Sequence, residues 1–316
     1  MIPERRHSWQ RPGQFTPTSE QIELAQKFKV DVDLLHLLAL RDIQSEKAIG
    51  KFLYPSLANL PDPFSMKDMQ KAVRLIAEAL TRHSDIVIWG DYDVDGVTAT
   101  CLLMRFFTSL GKKARWYIPN RFSEGYGLNI QGIEKIRAGL TSEHPLLITV
   151  DCGISSTAEI KKARDLGFYT IITDHHSLPE AKIEADAILN VKQPGCTFSD
   201  KNLAGVSTAF YLAAGTRSHL NASGYFSPAQ PAPNLKQFLD LVAIGSIADM
   251  VPLAGVNRTL VKSGFEILSR SENIGISALL RSSNIPSGAI VSDDIAFQLA
   301  PKINAAGRMG KVDASL

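Results

Sequence analysis

Ser84-Asp85-Ile86-Val87-Ile88-Trp89-Gly90-Asp91-Tyr92-Asp93-Val94-Asp95-Gly96 is the stretch whose reading decides the fold. Its β-branched and aromatic run reads as a buried strand that ends in aspartates at alternate positions, closed by a glycine. Asp91, Asp93 and Asp95 put like charges together at one strand end, which is unfavourable unless a cation sits among them. The stretch therefore predicts a metal site. Asp-x-Asp-x-Asp-Gly also opens a calcium-binding EF-hand loop, but that loop needs a bidentate glutamate at its twelfth position. Leu102 stands there, and the preceding segment is strand-like rather than helical, so an EF-hand is excluded. A capped turn before a helix starting near Val97 would need one aspartate, not three. A dinucleotide-binding turn would carry glycines and amide donors where this one carries acids.

Working outward, residues 67–82 have the spacing of an amphipathic helix leading into this strand. After it, helices are expected over 97–110, 129–138 and 157–166, and strands over 114–119, 145–151, 169–174 and 187–190. That alternation predicts an α/β fold, a parallel sheet flanked by helices, with a short helical N-terminal extension. Residues up to about 20 read as an extended arm, 21–40 and 45–53 as helices, and 54–63 as a Pro-punctuated linker. Residues 204–249 turn mainly helical, interrupted by a Ser/Pro/Ala-rich loop over 221–234 expected to be mobile. Helices follow at 258–269 and 292–299. The expected domains are 1–64, 65–290 and 291–316.

The 316 residues carry a net charge of +2, with 45% hydrophobic and 21% charged residues. Nucleic-acid binding would have to come from a local patch rather than from overall charge. Cys101, Cys152 and Cys196 are widely spaced and odd in number, which argues against a zinc knuckle or disulfide framework and for a reducing cytoplasm. No segment is apolar for long enough to span a bilayer.

Ligands of an open parallel sheet bind beyond the carboxyl ends of its strands. Asp91, Asp93 and Asp95 follow one expected strand, Asp151 another, and Asp174-His175-His176 a third. Mixed carboxylate and imidazole ligands favour manganese or a similar ion, with magnesium the alternative. Two such ions sharing a carboxylate suit phosphoryl chemistry. Asp249 is a further candidate, because an acid in so apolar a segment needs a partner or a metal. Asp240 in the same segment reads as an ordinary helix residue. Arg121-Phe122-Ser123-Glu124-Gly125-Tyr126-Gly127 offers a guanidinium and aromatic rings for phosphate and base contact. Arg308, in Asn304-Ala305-Ala306-Gly307-Arg308-Met309, offers another cation.

Taken in order, the motifs around Asp91–Gly96, Asp151, Asp174-His175-His176, Leu203-Ala204-Gly205-Val206, Gly245–Asp249 and Asn304–Met309 resemble those of the DHH phosphoesterase superfamily. The Arg121 and Asn304 segments, with Leu60-Pro61-Asp62-Pro63-Phe64, are similar to the RecJ group of single-strand-specific 5′→3′ DNA exonucleases. That resemblance runs from about residue 35 to the last residue. It implies hydrolysis of single-stranded DNA from the 5′ end, in recombination and repair, with two Mn2+ (or Mg2+) ions. It implies Asp93, Asp95, Asp151, His175 and Asp249 as metal ligands, Asp151 bridging, with His176 on a metal or on the scissile phosphate. Asp91 and Asp174 would orient these ligands, and Arg121, Tyr126 and Arg308 would contact DNA. Repair proteins such as a single-strand-binding protein or a helicase are implied as partners, with oligomeric state open. Relatives in this group continue beyond the Asn304–Met309 motif, so 291–316 is expected to begin a connecting helix to a further domain. The competing expectations are a phosphodiesterase for short oligonucleotides or cyclic dinucleotides, and a DNA-binding module with little activity.

Overall fold

The structure, a computed structural model, describes residues 16–286, 288, 290–309 and 315–316. It divides between Ser56 and Leu57 into two compact units.

The first unit holds α1 (Ser19–Phe28), α2 (Val32–Ala39) and α3 (Glu46–Leu53) around Leu24, Leu35, Leu38 and Ile49. The single helix expected over 21–40 is broken, because Lys29 takes the left-handed conformation at φ 53° and Asp31 caps a new helix through the Asp33 amide at 2.8 Å. The helix expected over 45–53 is α3, with Ser45 standing outside it as the N-cap rather than as its first residue.

In the second unit, α4 (Met69–Thr81) leads into β1 (Ile86–Gly90), followed by α5 (Val94–Ser109), β2 (Arg115–Tyr117), α6 (Ile130–Ala138), β3 (Leu146–Val150), α7 (Thr157–Asp165), β4 (Tyr169–Thr173) and β5 (Ala187–Leu189). The five strands are all parallel, in the order β2-β1-β3-β4-β5. β1 and β3 are buried along their whole length, which is why they read as continuous apolar runs rather than alternating ones. Ile86, Ile88, Leu146, Ile148 and Val150 enter one core; Val87, Trp89 and Leu147 enter the other. The first core is closed by α4, α5, α8 (Gly205–Ala222), α9 (Leu239–Ala248) and α10 (Gly255–Leu268), and the second by α6 and α7. The chain leaves β1 for the edge strand β2, then returns past β1 to β3. The carboxyl ends of β1 and β3 thus form the topological switch point, where the sheet opens a crevice for ligands.

α5 starts at Val94, not near Val97, because the Asp93 carboxylate accepts the Gly96 amide at 3.0 Å and caps the helix there. Asp95 consequently lies inside the first helical turn. The loop expected to be mobile over 221–234 is tied down: Gln230 Nε2 donates to the Leu110 carbonyl at 3.3 Å, and Tyr225 and Phe226 pack on the core. α11 (Ile274–Ser282) was not foreseen. The helix expected over 292–299 is instead Ser292–Asp294 followed by a π-helical turn, Ile295–Leu299, and then Ala300–Arg308. Among the described residues no helix is long and apolar enough to cross a membrane.

Candidate metal centre

Asp151 follows β3 directly and takes the left-handed conformation at φ 59°, which turns its side chain into the crevice while its amide still bonds the Thr173 carbonyl at 3.0 Å. Glycine at position 205 makes room for it, since a Cβ there would lie 2.6 Å from Asp151 Oδ1. Asp95 receives the first amides of α8: Gly205 N–H donates to Oδ2 at 2.6 Å and Val206 N–H to Oδ1 at 2.8 Å. After β4, Asp174 Oδ1 accepts the His175 and His176 amides and the His176 ring at 2.7–2.9 Å, and Oδ2 accepts the Ile154 amide. These bonds fix the His176 ring and the backbone of His175, and the two imidazole centroids are 4.5 Å apart.

His175 Nε2 lies 3.1 Å from Asp151 Oδ1, 3.7 Å from Asp249 Oδ2 and 3.9 Å from Asp95 Oδ2. Although close, His175 Nε2 and Asp151 Oδ1 are not aligned as a hydrogen bond, and both are buried without one. Ligand atoms converge within 4.8 Å in three overlapping groups: Asp95-His175-Asp249, Asp151-His175-His176 and Asp91-Asp93-Asp151. Two buried, partnerless donor atoms ringed by carboxylates fit a divalent cation of the manganese or magnesium class.

Burial, then repulsion from Asp249 and Asp93, holds the Asp95 carboxyl well above its ordinary pKa; burial and Asp95 do the same to Asp151. Burial and Asp93 raise Asp91 to about 7 and Asp249 to about 6. Burial and neighbouring His176 lower His175 to about 4, which keeps its imidazole neutral and able to ligate. Burial opposes ionisation of Asp174, but the His176 bonds outweigh it and its pKa falls. Reciprocally, the Asp174 bond raises His176. A cation among the acids would offset the repulsion that raises them.

Tyr92, between two of the aspartates, links this centre to the segment after β2. Arg121 places its guanidinium 5.1 Å from the Tyr92 ring centroid, and Tyr126 meets the same ring edge-on at 6.1 Å. Phe122 beside them is 74% exposed. Arg308 ends the helix Ala300–Arg308, and its side chain lies outside the described residues.

Residues 85–246 match the DHH family, N-terminal domain. The chain belongs to the DHH family. It is 38% identical to the single-stranded-DNA-specific exonuclease RecJ of Bacillus subtilis over 97% of its own length and 36% of that protein's. Against RecJ of Escherichia coli it is 39% identical over 87% of its own length and 47% of that protein's. This DHH chain thus spans between about a third and a half of these curated relatives. A crystal structure of RecJ from Thermus thermophilus in complex with Mn2+ superposes with a TM-score of 0.75 at 29% identity, covering 95% of this chain and 41% of that one. An exonuclease RecJ structure bound to manganese gives 0.68 at 32%, covering 79% and 60%.

Two acids of this DHH-family chain read differently in the structure. Asp240, expected to be an ordinary helix residue, is 2% exposed and accepts from the Leu241 amide and Ser271 hydroxyl. Asp249, expected inside an apolar segment, is at the C-cap of α9 and opens to the crevice with 24% of its side chain exposed. Sequence reasoning passed over Tyr92, although its place between Asp91 and Asp93 was a signal. It also passed over Asn190 and Lys192 after β5, which donate to the His176 and His175 carbonyls at 2.9 and 2.6 Å. No local pattern marks that pairing.

Proposed function

We propose that this chain hydrolyses phosphodiester bonds of single-stranded DNA from the 5′ end, as a metal-dependent nuclease of recombination and repair. The observation that carries the reading is the pair of buried, unbonded donors, Asp151 Oδ1 and His175 Nε2, set among carboxylates at the switch point. In this proposal Asp95, Asp151, His175 and Asp249 hold one Mn2+ or Mg2+ ion, and Asp93 and Asp151, with Asp91 beside them, hold a second. When bound, such ions lower the pKa of a water and polarise the scissile phosphate. His176, whose pKa the Asp174 bond raises, donates a hydrogen bond to that phosphate, and Asp174 keeps the ring in place. Arg121, Tyr126 and Arg308 hold the strand. The Mn2+ and Mg2+ complexes of RecJ from Thermus thermophilus support the choice of ions. The free cysteines Cys101, Cys152 and Cys196 suit the cytoplasmic setting that the proposal includes. A single-strand-binding protein and a helicase are the proposed partners.

The test is end-labelled single-stranded DNA against a dinucleotide, each with added manganese. Shortening of the strand from its 5′ end, lost in Asp151→Asn, is the expected result. Cleavage of the dinucleotide with the strand left intact would move the assignment to a small-substrate phosphodiesterase.

A further inference from the structure

The segment after β2 contains an acid where a strand-binding loop would be expected to avoid one. Glu124 lies between Arg121 and Tyr126, and a free carboxylate there would repel phosphates. In the structure it points into the loop. Glu124 Oε1 accepts the Tyr117 hydroxyl in a short hydrogen bond, and Oε2 accepts the Asn120 amide at 2.7 Å. The Glu124 amide donates back to the Asn120 carbonyl at 2.8 Å, and Asn120 Oδ1 accepts the Phe122 amide at 2.9 Å.

Both ends of this clasp rest on the sheet. Tyr117 is the last residue of β2, and its ring lies 4.4 Å from that of Trp89 in β1. Trp89 Nε1 donates to the Gly127 carbonyl at 3.3 Å, fixing the far end of the loop. Between these anchors, Gly125 and Gly127 have φ of 82° and 70°, a turn that leaves the loop little stiffness of its own. Glu124 therefore supplies the cross-brace that the glycines do not. The residues it braces are the ones set against Tyr92 beside the metal centre: Arg121 over its face and Tyr126 at its edge.

We propose that Glu124 is a positioning residue that shapes the 120–127 loop into a strand-binding surface, acting through Tyr117 and Asn120 without touching DNA. This rests on the nucleic-acid reading above. The charge it brings is masked by the hydrogen bonds it accepts, so its removal acts chiefly through geometry. A carboxylate exposed to the strand would behave in the opposite way: deleting it would tighten binding at low salt.

The experiment is the anisotropy of a short fluorescent single-stranded oligodeoxynucleotide titrated with the full chain in EDTA, where no hydrolysis occurs. Wild type, Glu124→Ala, Glu124→Gln and Tyr117→Phe are compared, with manganese binding followed separately by calorimetry. Glu124→Ala is expected to weaken DNA binding about tenfold or more, because misplaced contact groups lose much of their effect. Glu124→Gln, which keeps an acceptor, is expected to recover most of it. Tyr117→Phe removes one hydroxyl and no charge, and is expected to weaken binding in the same direction. Manganese affinity should be the same in all four. In turnover with manganese, the loss should fall on KM rather than kcat, as it does when binding shared by ground and transition states is removed. Equal or tighter DNA binding by Glu124→Ala, or by Tyr117→Phe if the first variant does not fold, would overturn the proposal. Failure of the wild type itself to bind the oligonucleotide would instead overturn the nucleic-acid reading on which it rests.

Discussion

Single residues set the dimensions of the centre, and glycine 205 is one of them. Its missing Cβ is the space that Asp151 Oδ1 occupies, and its amide holds Asp95. Gly205→Ala leaves that amide in place but forces Asp151 aside, so manganese affinity is expected to fall by roughly 10–100-fold, the range for disturbing the support of a ligand. Calorimetric titration checks this, and an unchanged affinity would show that the crevice relaxes around a methyl group. Away from the centre, Asp85 ties the start of β1 to the turn before β3. Burial works against its charge, but the Ser142 and Thr141 amides and the Ser142 hydroxyl prevail, and its pKa is lowered. A carboxyl depressed in the folded state contributes stability above its unfolded pKa of about 3.9 and loses it as pH falls through the folded value. Urea unfolding followed from about pH 6 down through the unfolded value of about 3.9 and below should therefore show a shallower acid decline in Asp85→Asn than in wild type.

Elements were legible in the sequence wherever the signal was local. β1, β3 and β4 are apolar runs, and Asn129 and Ser45 cap the helices that follow them. Where the stabilising group comes from afar, the sequence is silent. α8 and α10 begin after Ala204 and Ala254, which have no side-chain cap; their first amides are taken by Asp95 and Asp200 instead. This is also why the reading of Asp95 as a strand-end ligand was incomplete, since the same carboxylate starts a helix more than a hundred residues later. Asp249 was singled out by the apolarity of its segment, a signal that cannot tell a helix C-cap at the crevice from Asp240, buried in the first turn of the same helix and facing Ser271. Asp200→Ala removes the borrowed cap, and is expected to cost about 1 kcal/mol, the usual loss for an N-cap acid. Chemical denaturation would measure it; no loss would mean that water serves the α10 amides as well as Asp200 does.

At the scale of the whole DHH domain, the centre is a cost that a cation repays. Asp95, Asp151, Asp91 and Asp249 all have raised pKa values, caused first by burial and then by the neighbouring carboxylates, Asp93 among them in every case. A carboxyl raised in the folded state binds its proton more tightly there than in the unfolded chain, so stability falls as pH rises from about 4 and the loss is complete above the folded pKa. For Asp249 and Asp91 that window closes near 6 and 7. The metal-free protein should accordingly melt at a lower temperature at about pH 8 than at about pH 5.5, a range that brackets these values. Manganese should reverse the trend, because it binds the ionised carboxylates of the folded state. At about a hundredfold excess over its Kd it contributes roughly 2.7 kcal/mol, or about 5–10 °C for a unit of this size. Asp151→Asn keeps the shape and removes one charge from the cluster. Its melting temperature should equal or exceed that of wild type in EDTA and gain little from manganese, so that the two curves cross as metal is added. A variant less stable than wild type in EDTA, yet equally stabilised by manganese, would mean that Asp151 holds the fold rather than the metal.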